Sequence, residues 1–371
     1  MNLHTVPEEF LKRLSDIVGQ SLFYQIEKTF AERATTFRVN TLKLGKLGNL
    51  EIGKLLIDEG FKLKHVSWYA DAFILFNRSK RELTETDVYK EGKIYIQSLA
   101  SMVPPLVLDP KPEEKVLDLT AAPGSKTSQI AALMSAQGGS ASGGEPKGEL
   151  VANDSNKVRF FKLKHNMELL GVTSPRAPLL SSRGGSAFGG KERGVLDEPS
   201  PLGEGQGEGN QWTFTLRMED GSHLCGDYPN YFDKILVDAP CSAEARFIAD
   251  DPKTYGYWSE KKIKEMAYKQ RKLLFSAWHA LKPGGTLVYS TCTFAPEENE
   301  AVVDWALGKY PELVTLEPVT LPCENVSPGL TEWEDRVYHP SLHQTVRIMP
   351  NAVMEAFFLA KFRKQALLTY S

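Results

Sequence analysis

Residues 115–127, Lys-Val-Leu-Asp-Leu-Thr-Ala-Ala-Pro-Gly-Ser-Lys-Thr, decide how the rest of the chain is read. A short β-rich run ends in small residues around a proline and a glycine, and a helical pattern predicted over 126–134 follows at once. Such a junction lets a ligand approach the free backbone N–H groups at the start of the helix. By itself it is also compatible with a plain tight turn. It lacks the GxxxxGK[ST] spacing of a phosphate loop and the GxGxxG of a dinucleotide fingerprint.

Working outward, the same rhythm repeats downstream. KVLDLT, ELVAND, TFTLRMED, FDKILVDAP and GGTLVYSTC read as strands. Helices are predicted at 155–171, 261–281 and after Pro296. Alternating strands and helices imply right-handed crossovers and a doubly wound, mostly parallel sheet, an α/β fold. TVRIMP and AFFLAKFRK near the end supply two further strand-like runs suited to an antiparallel edge.

Upstream, residues 1–110 read as a small α+β module: helix 7–18, strand Thr36 to Leu42, helix 49–59, then FKLKHVSW and AFILFN as strands. Lys28 to Lys64 holds eight Lys/Arg against four Asp/Glu. That excess reads equally as a solvated face or as an RNA-facing patch, the latter through Arg38, Lys43 and Lys46. Two stretches, 135–147 and 172–210, are rich in Gly, Ser and Pro and cannot bury enough apolar surface to offset chain entropy, so both are expected to be flexible insertions in a catalytic domain spanning 111–371.

At 371 residues with 42% hydrophobic and 25% charged positions, the chain has the composition of a folded protein of two or three domains. The net charge of −3 places any nucleic-acid contact on a local patch. No apolar run is long enough to cross a membrane, and the start reads as an ordinary helix rather than a secretion signal. Cys225, Cys241, Cys292 and Cys323 form no CxxC and no zinc spacing, so free thiols in a reducing, cytoplasmic compartment and no metal are expected.

The strand ends carry the chemistry. The second ends at Asp154, placed like the acid that accepts both ribose hydroxyls in dinucleotide folds. With no glycine fingerprint for a pyrophosphate, a nucleoside cofactor without one fits better, and S-adenosylmethionine is that cofactor. The third strand ends near Asp220, suited to an exocyclic amine. Any one of these acids alone could be a helix cap or a turn former. The fourth strand ends in Asp238-Ala-Pro-Cys241-Ser242 and the fifth in Ser290-Thr291-Cys292-Thr293. Carboxyl ends of parallel strands line one crevice, so Asp238 and the two thiols should converge there. A lone strand cysteine is more often a small core residue, but two at adjacent strand ends among polar turn residues reverse that reading.

DLTAAPGSKT, VDAPCS and LVYSTCTFAPEENEAVV together resemble the RsmB/RsmF (NOP/Sun) family of S-adenosylmethionine-dependent RNA cytosine-C5 methyltransferases. FRVNTL, Gln97 to Ser101, RIMP and FFLAKFRK extend the resemblance over nearly the whole chain outside the insertions. It implies a class I, Rossmann-like, seven-stranded fold and a two-thiol reaction. Cys292 would be the nucleophile toward C6 of cytosine, Asp238 would hydrogen-bond the pyrimidine edge, and Cys241 would assist loss of the C5 proton. The cofactor would lie against Thr120, Ala121, Ala122, Pro123, Gly124, Ser125 and Lys126, with Asp154, Asp220 and Asp238. Without the resemblance, Lys126 reads equally as a water-facing first-turn residue. The implied partner is RNA, ribosomal ahead of transfer RNA, with the N-terminal module contributing to its surface. A monomer is expected. A catalytically silent RNA-binding assembly factor is the alternative, as is methylation of a protein or small molecule on the same fold.

The chain departs from the family pattern in places. Thr120 stands where Cys is usual and Ser125 where a second Gly is frequent. Ala243-Glu244-Ala245-Arg246-Phe247 replaces a Gly-containing turn, and Arg246 there either reaches an RNA phosphate or pairs with Glu244. Met354-Glu355-Ala356 stands where Asp-Gly is common.

Overall fold

The computed structural model describes residues 6–44, 48–136, 148–172, 212–321 and 323–366. The N-terminal part runs α1 (Glu8–Val18), α2 (Gln20–Ile26), β1 (Thr36–Val39), α3 (Thr41–Leu44), α4 (Gly48–Asp58), β2 (Leu63–His65), β3 (Ala72–Leu75), α5 (Lys80–Glu85), α6 (Asp87–Lys90) and β4 (Ile94–Ile96). Its four strands form an antiparallel sheet in the order β2-β3-β1-β4. Phe37, Ile52, Leu56 and Phe73 fill a core of its own. Strand β1 stops at Val39, short of the expected Leu42, because Asn40 turns the chain. Its buried side chain donates to Gly92 O and Leu170 O and accepts from Leu42 N, which starts α3.

Helix α7 (Leu99–Leu108) leads into the larger unit. It is absent from the sequence reading because Pro104 and Pro105 lie inside it. Ser98 caps its start by accepting from Ser101 N. There follow β5 (Lys115–Asp118), α8 (Ser125–Ala136), β6 (Gly148–Asn153), α9 (Lys157–Leu169), β7 (Trp212–Arg217), β8 (Phe232–Asp238), α10 (Glu260–Ala280), β9 (Leu281–Thr291), α11 (Glu300–Lys309), β10 (Val314–Glu317), β11 (Val326–Pro328), β12 (Glu332–Trp333), β13 (Arg336–Val337), β14 (Val346–Ile348) and β15 (Phe357–Lys364). Strands β7-β6-β5-β8-β9 are parallel neighbours, so each carboxyl end opens on the same side, with helices between.

The expected antiparallel edge is present: β15 runs against β9 and β14 against β15. Among the described residues the sheet has nine strands where seven were expected. The seventh place is split, since β14 pairs with residues 357–359 of β15 and β10 with 361–364 along the same edge, and β11 then pairs with β14. Leu117, Ile235, Leu287, Tyr289 and Phe358 fill one face of the sheet, and Val116, Leu150, Leu236 and Val288 the other. Apart from Ser135 and Ala136 at the end of α8 and Val172 after α9, both expected insertions lie outside the described residues.

The two units are tied by Arg38, which has no solvent exposure. From β1 it donates to Gln97 Oε1 at 3.3 Å and to Ser128 Oγ of α8 at 2.9 Å. That removes Arg38 from any RNA-facing patch. Lys43 is exposed, with its Nζ on Glu91 O, and Lys46 lies outside the described residues. A further apolar cluster joins Phe10, Phe30 and Ile74 to Phe247, Trp258 and Phe357 across the two parts.

Candidate active site

The carboxyl ends of β5, β6, β8 and β9, the turn after β7 and the edge of the N-terminal sheet enclose a cleft of about 1290 Å³. It is lined by Thr120, Ala121, Ala122, Pro123, Ser125, Lys126, Asp154, Asp220, Asp238, Cys241 and Cys292. Gly124 does not line it. Its φ is +106°, and a Cβ there would stand 2.5 Å from Met167 Cε and 3.0 Å from Leu163 Cδ1 of α9. The glycine therefore sets the shape of the loop and its approach to α9.

Lys126 is buried, not water-facing: its Nζ donates to Asp238 Oδ2 and to Ser101 Oγ, both at 2.7 Å. Ser290 Oγ of β9 donates to Asp238 Oδ1 at 2.8 Å, so both carboxylate oxygens are held. Thr120 Oγ1 donates to Asp238 O, which joins the loop to β8. Beneath the loop Asp118 is wholly buried and pushed up to about 7 by burial, against the hydrogen bond it accepts from Thr127 Oγ1. Asp154 accepts from Ala122 N and Asn156 N, with Arg159 at 3.2 Å. Asp220 is exposed, accepts from Ser222 N and lies 3.7 Å from His223.

The thiols meet. Cys241 Sγ and Cys292 Sγ are 3.3 Å apart, close enough to share a proton. Cys292 is held below the usual thiol range by the hydrogen bond from Cys241, then by the Arg246 guanidinium, with burial opposing. The bond to Cys292 and burial push Cys241 well up. The arrangement favours Cys292 as thiolate and Cys241 as S–H donor.

Two buried acids that the sequence reading did not assign fix the loops carrying the thiols. Glu298 accepts from Ser242 N and from Gln270 Nε2, and burial pushes it up to about 8. Glu244 accepts from Trp258 Nε1, Thr293 Oγ1 and Phe294 N. Glu244 is thus committed, and of the two alternatives for Arg246 the pair with Glu244 does not form. Arg246 Nε lies instead 3.7 Å from Glu355 Oε2, whose other oxygen accepts from Ser98 Oγ at 2.7 Å. Glu355 was visible in the sequence only as a departure from Asp-Gly. Its approach to the cleft depends on β15 lying beside β9, which no local pattern encodes.

These residues can hold a nucleoside cofactor and a planar base in one cleft. The loop offers backbone N–H groups at the start of α8, acids stand at three strand ends, and a thiol pair faces a lysine-held carboxylate. Among the described residues no group of three or more His, Cys, Asp or Glu is placed to hold a metal ion, and no helix is long and apolar enough to cross a membrane. All four cysteines are free of disulfides.

Residues 105–181 and 210–363 match the family model described as 16S rRNA methyltransferase RsmB/F. The chain is 34% identical over 330 residues to a tRNA (cytosine(49)-C(5))-methyltransferase of Pyrococcus abyssi, covering 89% of this chain and 88% of that protein. It is 31% identical over 369 residues to ribosomal RNA small subunit methyltransferase F of Pectobacterium carotovorum, covering 97% of this chain and 63% of that protein. It thus spans just under two thirds of the latter's length. A solved methyltransferase homologue from Pyrococcus horikoshii superimposes with a TM-score of 0.72 at 29% identity, covering 98% of this chain and 97% of the other.

Proposed function

The chain belongs to the 16S rRNA methyltransferase RsmB/F family, and from that premise we propose that it methylates carbon 5 of cytosine in RNA through a covalent adduct of Cys292. The observation that carries this is the thiol pair at 3.3 Å beside the Lys126–Asp238 pair. A reaction that needed only to place a methyl group on a heteroatom would have no use for two thiols.

S-adenosylmethionine is the cofactor of the family, and when bound it supplies an electrophilic methyl group. Thr120 to Lys126, Asp154 and Asp220 would hold it. The remaining chemistry falls to the chain. Carbon 5 of cytosine is not nucleophilic until a group adds at carbon 6. The Cys292 thiolate forms that S–C6 bond, and Asp238, fixed by Lys126 and Ser290, hydrogen-bonds the pyrimidine edge as charge builds on the ring. Once carbon 5 has been methylated, Cys241 assists removal of the C5 proton. The electron pair reforms the C5–C6 double bond and expels the Cys292 sulfur. Consuming the Cys292 thiolate as a thioether removes the hydrogen bond and the negative charge that push Cys241 up, so Cys241 can release its own proton to solvent and take the C5 proton as a thiolate.

A structured RNA is the proposed substrate, with small-subunit ribosomal RNA first and transfer RNA second. Residues 1–110 are proposed to form part of its docking surface, the target base being unstacked into the cleft. The test is incubation with tritiated cofactor and each unmethylated RNA, followed by digestion to nucleosides. Labelled 5-methylcytidine from one RNA is the expected result. Label in another nucleoside, or none, overturns the reading.

A further inference from the structure

Beyond the Asp220 end of the cleft lies a second groove of about 510 Å³, a volume suited to a nucleoside. Its walls are Tyr268, Arg271, Lys272 and Phe275 of α10 with Trp305 and Lys309 of α11, and Ser222, His223, Tyr268 and Lys272 line the main cleft as well, so the two adjoin. Tyr268 is 60% and Phe275 39% exposed. Helix α10 carries five lysines and one arginine against two glutamates, in a chain whose net charge is −3. Of those glutamates, Glu265 pairs with Lys262 and Lys269, and Glu260 approaches Arg13. Among the described residues Arg271, Lys272 and Lys309 have no carboxylate within 4 Å. Lys272 Nζ sits 4.6 Å over the Tyr268 ring, and Arg271 Nε is buried without a partner.

Partly exposed rings among cations that no carboxylate within 4 Å neutralises are what an unpaired polynucleotide recognises, bases stacking on the rings and phosphates meeting the cations. A hydrophobic partner protein would leave the cations unpaired. We propose that this groove docks a single-stranded RNA segment that runs on past the Asp220 end of the cleft, with a base against Phe275 and Tyr268 and the backbone along Arg271, Lys272 and Lys309. This inference rests on the RNA reading above, but its test does not require methyl transfer.

The probe is a fluorescein-labelled oligouridylate of about 12 nucleotides, titrated into the full chain by anisotropy over a range of salt. Phe275→Ala should weaken binding about tenfold by loss of one stacked base. The double variant Arg271→Gln, Lys309→Gln should weaken it about tenfold and lower the salt slope by about one to two units. Cofactor affinity by equilibrium dialysis should stay unchanged in both, which reports an intact fold. Wild-type affinity and salt slope in both variants overturn the proposal and leave the face to a protein partner, and so does failure of the wild type to bind the probe. Loss of probe binding in the variants together with a wild type that makes no 5-methylcytidine would uphold the docking groove and sink the proposed reaction.

Discussion

Cys241 and Cys292 stand at the ends of neighbouring parallel strands with their sulfurs 3.3 Å apart, one donating to the other. The first prediction tests that relationship. Iodoacetamide should alkylate Cys292 at lower pH than an ordinary thiol, because the Cys241 donor and the Arg246 guanidinium favour its thiolate. In Cys241→Ala the donor is gone and the alkylation midpoint should move up, read by mass spectrometry across pH. With RNA and cofactor present, the same variant should accumulate a covalent protein–RNA adduct visible as a gel shift. Cys292→Ala should show neither adduct nor turnover. Full turnover by Cys241→Ala would rule out the two-thiol scheme.

The second concerns Lys126 and Asp238. Their side chains are 6% and 27% exposed, so Lys126→Met strands a mostly buried carboxylate. The expected loss is about 2–3 kcal/mol in urea denaturation, below the full cost for a buried pair because Asp238 retains some water. Turnover should fall along with it, since Ser290 alone would then fix Asp238.

Asp118 gives a pH dependence of definite sign. Burial raises its folded pKa to about 7, above the ordinary aspartate value of 3.8, so the native state holds the proton more tightly than the unfolded chain. Its contribution to stability is fully present below about pH 4 and is lost as pH rises through about 7. Asp118→Asn keeps an acceptor for Thr127 and removes the titration. The variant should therefore gain stability relative to wild type as pH rises from 4 to 7, measured by denaturation at each pH. A constant difference would show that Asp118 does not titrate in that window.

Gly124→Ala tests the loop. At φ +106° an alanine is strained, and its Cβ would press on Met167 and Leu163. A loss of about 1–3 kcal/mol is expected. Because the loop carries the backbone that faces the cleft, cofactor affinity by equilibrium dialysis should fall in parallel. Unchanged affinity would separate the loop's shape from binding.

The parallel sheet and its strand ends were legible in the sequence because each strand there is a compact apolar run closed by a small or acidic turn, a signal carried within ten residues. Asp238, Cys241 and Cys292 could be placed in one crevice on that basis alone. Three kinds of feature escaped. Helix α7 was hidden by Pro104 and Pro105, which local rules set against a helix, although tertiary packing holds it. Glu244 and Glu298 received no role in fixing the thiol loops, since that role comes from donors 14 to 56 positions away. Arg38 looked like surface charge because nothing in FRVNTL says that β1 will lie against α8.

Arg38 has a consequence for any attempt to divide the molecule. Its guanidinium bridges the N-terminal sheet to Gln97 and to Ser128 in α8, the helix that follows the loop at 119–124. The change of rhythm near residue 110 is therefore a seam in pattern and not in cooperativity. Calorimetry should show the two parts melting in a single transition. A fragment beginning at 111 would expose the apolar surface that Phe10, Phe30 and Ile74 now cover beside the thiols and would lose the strut behind α8, so it should be recovered as aggregate instead of as a smaller working enzyme.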